Sequence, residues 1–203
     1  MARRRLFVPG LSHHIYHRGN NRCDVFRDEQ DRRTFLDTLR AVSVHHEVSV
    51  HGYALLTTHY HAQVTAFDEE SLPRMMQSLG RRYVRYFNDR HRRTGTLWES
   101  RYQASLLDSE RAWFRCLRYV ELNPVRAGIV SRPDAWQWSS YRANAIGLDD
   151  PLLTQHSLLR GLAGAPAERC SRWAQYCGEP GSERELSQIR SALKRGERLG
   201  FEE

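Results

Sequence analysis

The chain has 203 residues, 40% apolar and 27% charged, which suits one soluble domain of ordinary size with a real core, or one plus a small addition. No apolar run approaches the roughly 18–20 residues needed to cross a bilayer, and no leader-type stretch follows Met1-Ala2-Arg3-Arg4-Arg5, so a cytoplasmic, nucleoid-associated protein is expected rather than a membrane or secreted one. The net charge of +7 lies entirely within residues 1–141 and is densest over 71–101, where eight arginines face two acids; residues 142–203 are neutral. Such a field attracts polyanions, nucleic acid foremost. The four cysteines form no CxxC pair and are too few for a disulfide scaffold.

Ser12–His17 is expected to be a first strand, running into the polar loop Arg18-Gly19-Asn20-Asn21-Arg22. From Asp28 to His45, Phe35, Leu36, Leu39 and Val42 recur at helical spacing. Val48–Leu56 and His59–Ala66 read as two strands joined tightly at Thr57-Thr58. Over Ser71–His91 the apolar residues Leu72, Met75, Met76, Leu79, Tyr83, Tyr86 and Phe87 form one stripe, and Arg74, Ser78, Arg81 and Arg85 another. Thr96–Leu107 is expected to be a further strand. Ser109 caps a helix to about Leu122, which Asn123-Pro124 ends. This order predicts an α+β fold, a ferredoxin-like split βαβ antiparallel sheet with added helices. Pro133–Tyr141 closes the first domain, placed at residues 1–145. A helical C-terminal extension, 146–203, follows with three short helices, the last carrying a capping box from Ser182 to Glu185.

His59-Tyr60-His61 is the sharpest chemical feature. On a strand, His59, His61 and Gln63 share one face while Tyr60, Ala62 and Val64 share the other. Two imidazoles roughly 7 Å apart along one strand face can converge on a divalent cation. Taken alone, HxH is a weak signal and reads first as two surface or hydrogen-bonded histidines. Tyr119 and Asn123, four apart at a helix end, lie on one face behind the small residues Ala112 and Cys116. A phenol with an ordinary pKa of about 10 is a weak nucleophile, but it attacks a phosphodiester when a metal withdraws charge from the phosphate. An Asn123 amide oxygen would be a neutral third ligand beside two histidines. The plain alternative is that Tyr119 is a half-buried aromatic.

Three longer segments add specificity: Tyr53-Ala54-Leu55-Leu56-Thr57-Thr58-His59-Tyr60-His61, residues 76–88 from Met76-Gln77-Ser78-Leu79-Gly80-Arg81 to Asn88, and Arg118-Tyr119-Val120-Glu121-Leu122-Asn123-Pro124-Val125-Arg126-Ala127-Gly128. With Gly95–Tyr102 and Trp136–Tyr141, they resemble the IS200-like, single-tyrosine HUH transposases, in the REP-associated tyrosine transposase branch, over roughly residues 6–145. The resemblance implies a ferredoxin-like fold, a divalent metal (Mg2+ or Mn2+), and cleavage of single-stranded DNA at hairpins. It places metal ligands at His59, His61 and Asn123 and the nucleophile at Tyr119, which would join a 5′ phosphate and leave a free 3′-OH. Relatives commonly carry Pro-Asn where this chain has Thr57-Thr58. A domesticated, non-cleaving hairpin-binding protein is therefore the alternative.

For the DNA partner, Arg81, Arg82 and Arg85 are expected to contact phosphate, and Arg18, Asn20, Asn21 and Arg22 to read unpaired bases. Solvated surface arginines are the bland reading of each. His13, His14 and His17 are not assigned a metal role. His59-x-His61-x-Gln63 also resembles the HxHxQ of histidine-triad-type nucleotidyl transferases, which would leave Tyr119 and Asn123 without a purpose. The sequence leaves monomer and homodimer open.

Overall fold

A computed structural model describes residues 7–200. The arginine run at residues 3–5 lies outside them.

Strand β1 (Ser12–Arg18) is followed by α1 (Glu29–His45), the hairpin β2 (Val48–Leu55) and β3 (His59–Ala66), α2 (Ser71–His91) and β4 (Gln103–Leu107). The sheet order is β2-β3-β1-β4, with antiparallel neighbours, which is the expected split βαβ. Alternation along β3 decides its two faces. Tyr60, Ala62, Val64 and Ala66 are buried with Ile15, Phe35, Leu79 and Tyr83 in the layer formed with α1 and α2. The opposite face carries His61, Gln63 and Thr65, with Ser12 and His14 from β1, and is covered by α3 (Glu110–Glu121) through Trp113, Cys116, Leu117 and Val120.

Local chemistry fixes the helix ends. Asp28 accepts from the Asp31 amide at the start of α1, and Ser109 accepts from the Ala112 amide at the start of α3. Asn123-Pro124 does end α3, but Pro124 sits in the first turn of a short following helix, α4 (Asn123–Arg126), rather than opening a loop.

The expected strand over Thr96–Leu107 is shorter. Only Gln103–Leu107 joins the ladder. The preceding residues bond to the chain around the end of β1 instead, with the Asn20 amide donating to the Leu97 carbonyl (2.9 Å) and Glu99 to Arg18 (3.0 Å). Trp98 stacks on His17 at 4.2 Å, and those contacts hold the segment as a bend.

After α4 the chain runs along the outer edge of β2, bridging Ala54 to Ser139 and Val50 to Leu153. Helices α5 (Ser157–Gly161), α6 (Pro166–Gly178) and α7 (Glu183–Arg195) then pack on the α3 side, and α7 starts with the expected Ser182 cap on the Glu185 amide. A two-residue strand, β5 (Arg198–Leu199), adds parallel to the outer edge of β4. The four cysteines are free. No helix among the described residues is long and apolar enough to cross a membrane.

Candidate active site

The tight turn at Thr57-Thr58 is well anchored. The Leu56 amide donates to the His59 carbonyl (2.9 Å), and the Thr57 carbonyl accepts from Val25 (2.9 Å). The departure from Pro-Asn therefore leaves a regular hairpin. It also brings the Thr58 hydroxyl to 3.1 Å from Nδ1 of His59.

Beyond this turn, His59 and His61 stand side by side with ring centroids 5.3 Å apart. Nδ1 of His61 is 2.9 Å from Nε2 of His14, its diagonal neighbour on β1. Both histidines thus use Nδ1 within the protein, and Nε2 of each is the nitrogen left for a ligand. Burial holds the rings neutral, the state that ligates metal. It pushes His59 down to about 4, helped by Arg18, and His61 well below the ordinary imidazole range, helped by His14 and His59.

The last turn of α3 delivers Tyr119 to the same place. Its ring meets His61 edge-on at 5.6 Å and His14 at 5.7 Å. One helical turn later, Asn123 heads α4; its side-chain amide donates weakly to the Tyr119 carbonyl at 3.5 Å, leaving its oxygen free of that bond. Arg126, one turn further, places its guanidinium 4.5 Å from the Tyr119 ring centroid and donates to the same carbonyl. The helix-turn spacing read from the sequence thus converges on the strand histidines within one chain.

A cavity of about 520 Å³ opens between these groups, lined by His59, His61, Tyr119, Asn123, Arg18 and Arg126 among others. Among the described residues no three His, Cys, Asp or Glu side chains converge as a metal cage. The available donor set is two neutral imidazoles and one amide oxygen. That set fits a divalent cation which keeps positions open for oxygens of water or phosphate.

The other expected residues divide. Arg18 lines the cavity while bonding Glu99 at 2.7 Å, and Asn20, Asn21 and Arg22 follow it in a tight turn with Asn21 and Arg22 exposed. Asn21 and Arg22 both take left-handed backbone conformations (φ 49° and 57°), which fold the loop back on itself. Arg81, Arg82 and Arg85 are exposed on α2, in the layer on the far side of the sheet, and do not reach the cavity. Gln63 does not line it either; its amide donates to the Trp113 carbonyl at 3.4 Å beneath α3. Sequence reasoning passed over His14, Arg126, Arg190 and Lys194. The first was visible as a same-face residue of β1 only once the β1–β3 register is known, which pairs His14 with Gln63 and Tyr16 with His61.

A family model described as transposase IS200-like matches residues 7–123, more than half of the chain, ending on Asn123. The chain belongs to the IS200-like transposase family. This membership replaces the nucleotidyl-transferase reading and makes the protein a transposase, in a family of DNA-processing enzymes. The transposase shares its fold with the solved structure of a REP-associated tyrosine transposase bound to a REP hairpin, at TM-score 0.58 and 16% identity, over 77% of this chain and 92% of that one. A putative transposase from Deinococcus radiodurans aligns at 20% identity and TM-score 0.42, over 60% of this chain and 96% of that one. A search of curated proteins gave no match.

Proposed function

We propose that this transposase nicks and transfers single-stranded DNA at hairpin sequences through a 5′-phosphotyrosine intermediate on Tyr119. The observation that carries the reading is the approach of Tyr119 to within 5.6 Å, ring to ring, of His61 in a cavity that also holds His59 and Asn123. His59, His61 and Asn123 would hold Mg2+ or Mn2+. When bound there, the cation draws charge from the oxygens of the reacting phosphate.

The rest is the work of the chain. Arg126 holds the tyrosine by its ring face and its carbonyl. Tyr119 Oη attacks phosphorus as the P–O3′ bond breaks. The phenolic proton passes to solvent, and the departing 3′ oxygen takes a proton from water. The phosphate stays on Tyr119 as an ester, so a later 3′-OH can reverse the step without an external energy source. Since the supporting contacts lie in one chain, the reading is of a site complete within a single protomer.

Hairpin DNA as partner is supported by the fold shared with a hairpin-bound relative and by the basic field of residues 1–141. The loop from Arg18, which lines the cavity, to the exposed Asn21 and Arg22 would read unpaired bases. Arg81, Arg82 and Arg85 would serve a separate phosphate-contacting surface. The hydrogen bond between Thr58 and His59 favours the cleaving reading over a non-cleaving one, because the altered turn still orients the ring.

The test is incubation with hairpin oligonucleotides carrying single-stranded flanks and Mn2+, followed by denaturing electrophoresis. A covalent protein–DNA adduct is expected from the parent and none from Tyr119→Phe. An adduct that persists in Tyr119→Phe, or DNA binding with no adduct on any hairpin, would overturn the reading.

A further inference from the structure

The C-terminal extension, residues 146–203, carries a net charge of only −1, yet its charges are sorted by position in α7. The acidic start of the helix is spent on α3: Glu185 bonds Arg118 at 2.7 Å and lies 3.5 Å from Arg115. At the basic end Arg195 pairs with Glu197 at 2.6 Å, whereas Arg190 and Lys194 are not spent in this way. Ile189 and Leu193 anchor α7 in the core under α3, and Arg190 and Lys194, one turn apart, project beside them from exposed positions into the lining of the cavity. There they join Arg126. Among the described residues, none of these three cations has a carboxylate within ion-pair distance.

Unpaired like charges around one concavity repel each other, and the repulsion is relieved by an anion. Burial brings Arg126 down to about 10, with Arg190 and Arg118 acting in the same direction and Tyr119 and Glu185 opposing. Guanidinium groups match the two non-bridging oxygens of a phosphodiester. Since Arg126 already touches Tyr119, the anion best placed to use all three is the backbone of the strand that enters the cavity.

We propose that Arg190 and Lys194 of α7, with Arg126 opposite, form a phosphate-binding wall for the single-stranded DNA flanking the cleaved bond, so that the C-terminal extension is part of the substrate site. This rests on the strand-cleavage reading. Catalysis is kept out of the test by using Tyr119→Phe as the parent. Its affinity is measured for a hairpin with a single-stranded extension and for the same hairpin cut blunt, across a salt series.

Arg190→Gln/Lys194→Gln in that background is expected to weaken binding of the extended hairpin by about 10-fold and to lower its salt slope by about 1.4, two phosphates at roughly 0.7 each on a single strand. Binding of the blunt hairpin should not change, and neither should the thermal midpoint, because both side chains are exposed. An unchanged slope with the extended hairpin overturns the inference. Equal losses on both DNAs also overturn it, since the effect would then be general attraction rather than a cavity wall. If the parent binds neither DNA, the cleavage reading itself fails, which is a distinct result.

Discussion

Nε2 of His14 lies 2.9 Å from Nδ1 of His61, and neither ring is more than 3% exposed. Burial holds His14 down to about 3, so two neutral imidazoles meet and one must donate to the other. If Nδ1–H of His61 donates, the Nε2 lone pair of His61 faces the cavity and the ring is fixed in its ligating tautomer. His14 is then a positioning residue rather than a ligand.

Replacing His14 therefore separates geometry from bulk. His14→Leu removes the acceptor and is expected to weaken Mn2+ binding roughly 10–100-fold, the usual cost of losing the outer partner of a ligating histidine. His14→Gln offers an amide oxygen in place of Nε2 and should restore most of it. Mn2+ titration followed by electron paramagnetic resonance reads both. Equal affinity in His14→Leu and the parent would show that the bond does not prepare His61.

A second histidine sets an acid limit on the fold. Trp113 Nε1–H donates to Ser12 (3.1 Å), Ser12 to Thr65 (2.7 Å), Thr65 to Nε2 of His51 (2.8 Å), and His51 Nδ1–H to the Thr154 carbonyl (2.7 Å). The chain starts on a group that only donates and ends on one that only accepts, so its direction is fixed and it needs His51 neutral. Burial pushes His51 down to about 4, with the Thr154 carbonyl opposing and His156 adding. A histidine depressed below its unfolded value of about 6.5 contributes stability that is present above that pH and is lost as pH falls through about 4. The full effect is of order 3 kcal/mol. Urea unfolding between pH 7.5 and 4 should show this acid loss, and His51→Gln, though less stable at pH 7.5, should show a shallower one. Parallel profiles would assign the loss to other groups.

Gly52 is the point where β2 lets α3 come close. A Cβ added there would lie 2.2 Å from Cδ1 of Leu117 and 3.1 Å from Oγ of Ser140. Leu117 is fully buried and cannot swing away. Gly52→Ala is expected to cost about 1–3 kcal/mol, the range for overpacking. Because Leu117 is on the helix that carries Tyr119, adduct yield should fall even at temperatures where the variant stays folded. Urea unfolding and the adduct assay check the two parts.

The Arg118–Glu185 pair latches α7 to α3. Both side chains are buried, and Arg118 also stacks on Tyr176 at 4.5 Å. Glu185→Ala would leave a buried guanidinium without its carboxylate, at a cost of about 3 kcal/mol. Calorimetry should show a lower thermal midpoint. Limited proteolysis should cut first near Gly181, ahead of the loosened helix.

The parts of the molecule that were legible in the sequence are those governed by neighbours along the chain. The alternation around His59 and His61, the apolar stripe of α2 and the caps at Ser109 and Ser182 all express a local period or a single side chain. The turn from Tyr119 to Asn123 was legible for the same reason. What was not legible depends on residues distant in sequence. Residues 96–102 have a strand-like composition, but their partners are the backbone around Arg18 and Asn20, and nothing nearby announces that. His14 becomes meaningful only through the β1–β3 register. The placement of Arg190 and Lys194 depends on Glu185 finding Arg118 across sixty-odd positions of chain, a contact that a count of charges over residues 142–203 averages to nothing.

The two borders of the sheet carry a further consequence. Residues 139 and 153 bridge to the outer side of β2, and β5 lies against the outer side of β4. A sheet with bare borders invites a neighbouring copy to extend its ladder, which is both a route to pairing and a hazard for aggregation. Here the chain has used its own later segments as selvedge. Should two copies associate on DNA, pairing sheet to sheet at these positions would first have to displace the chain's own segments.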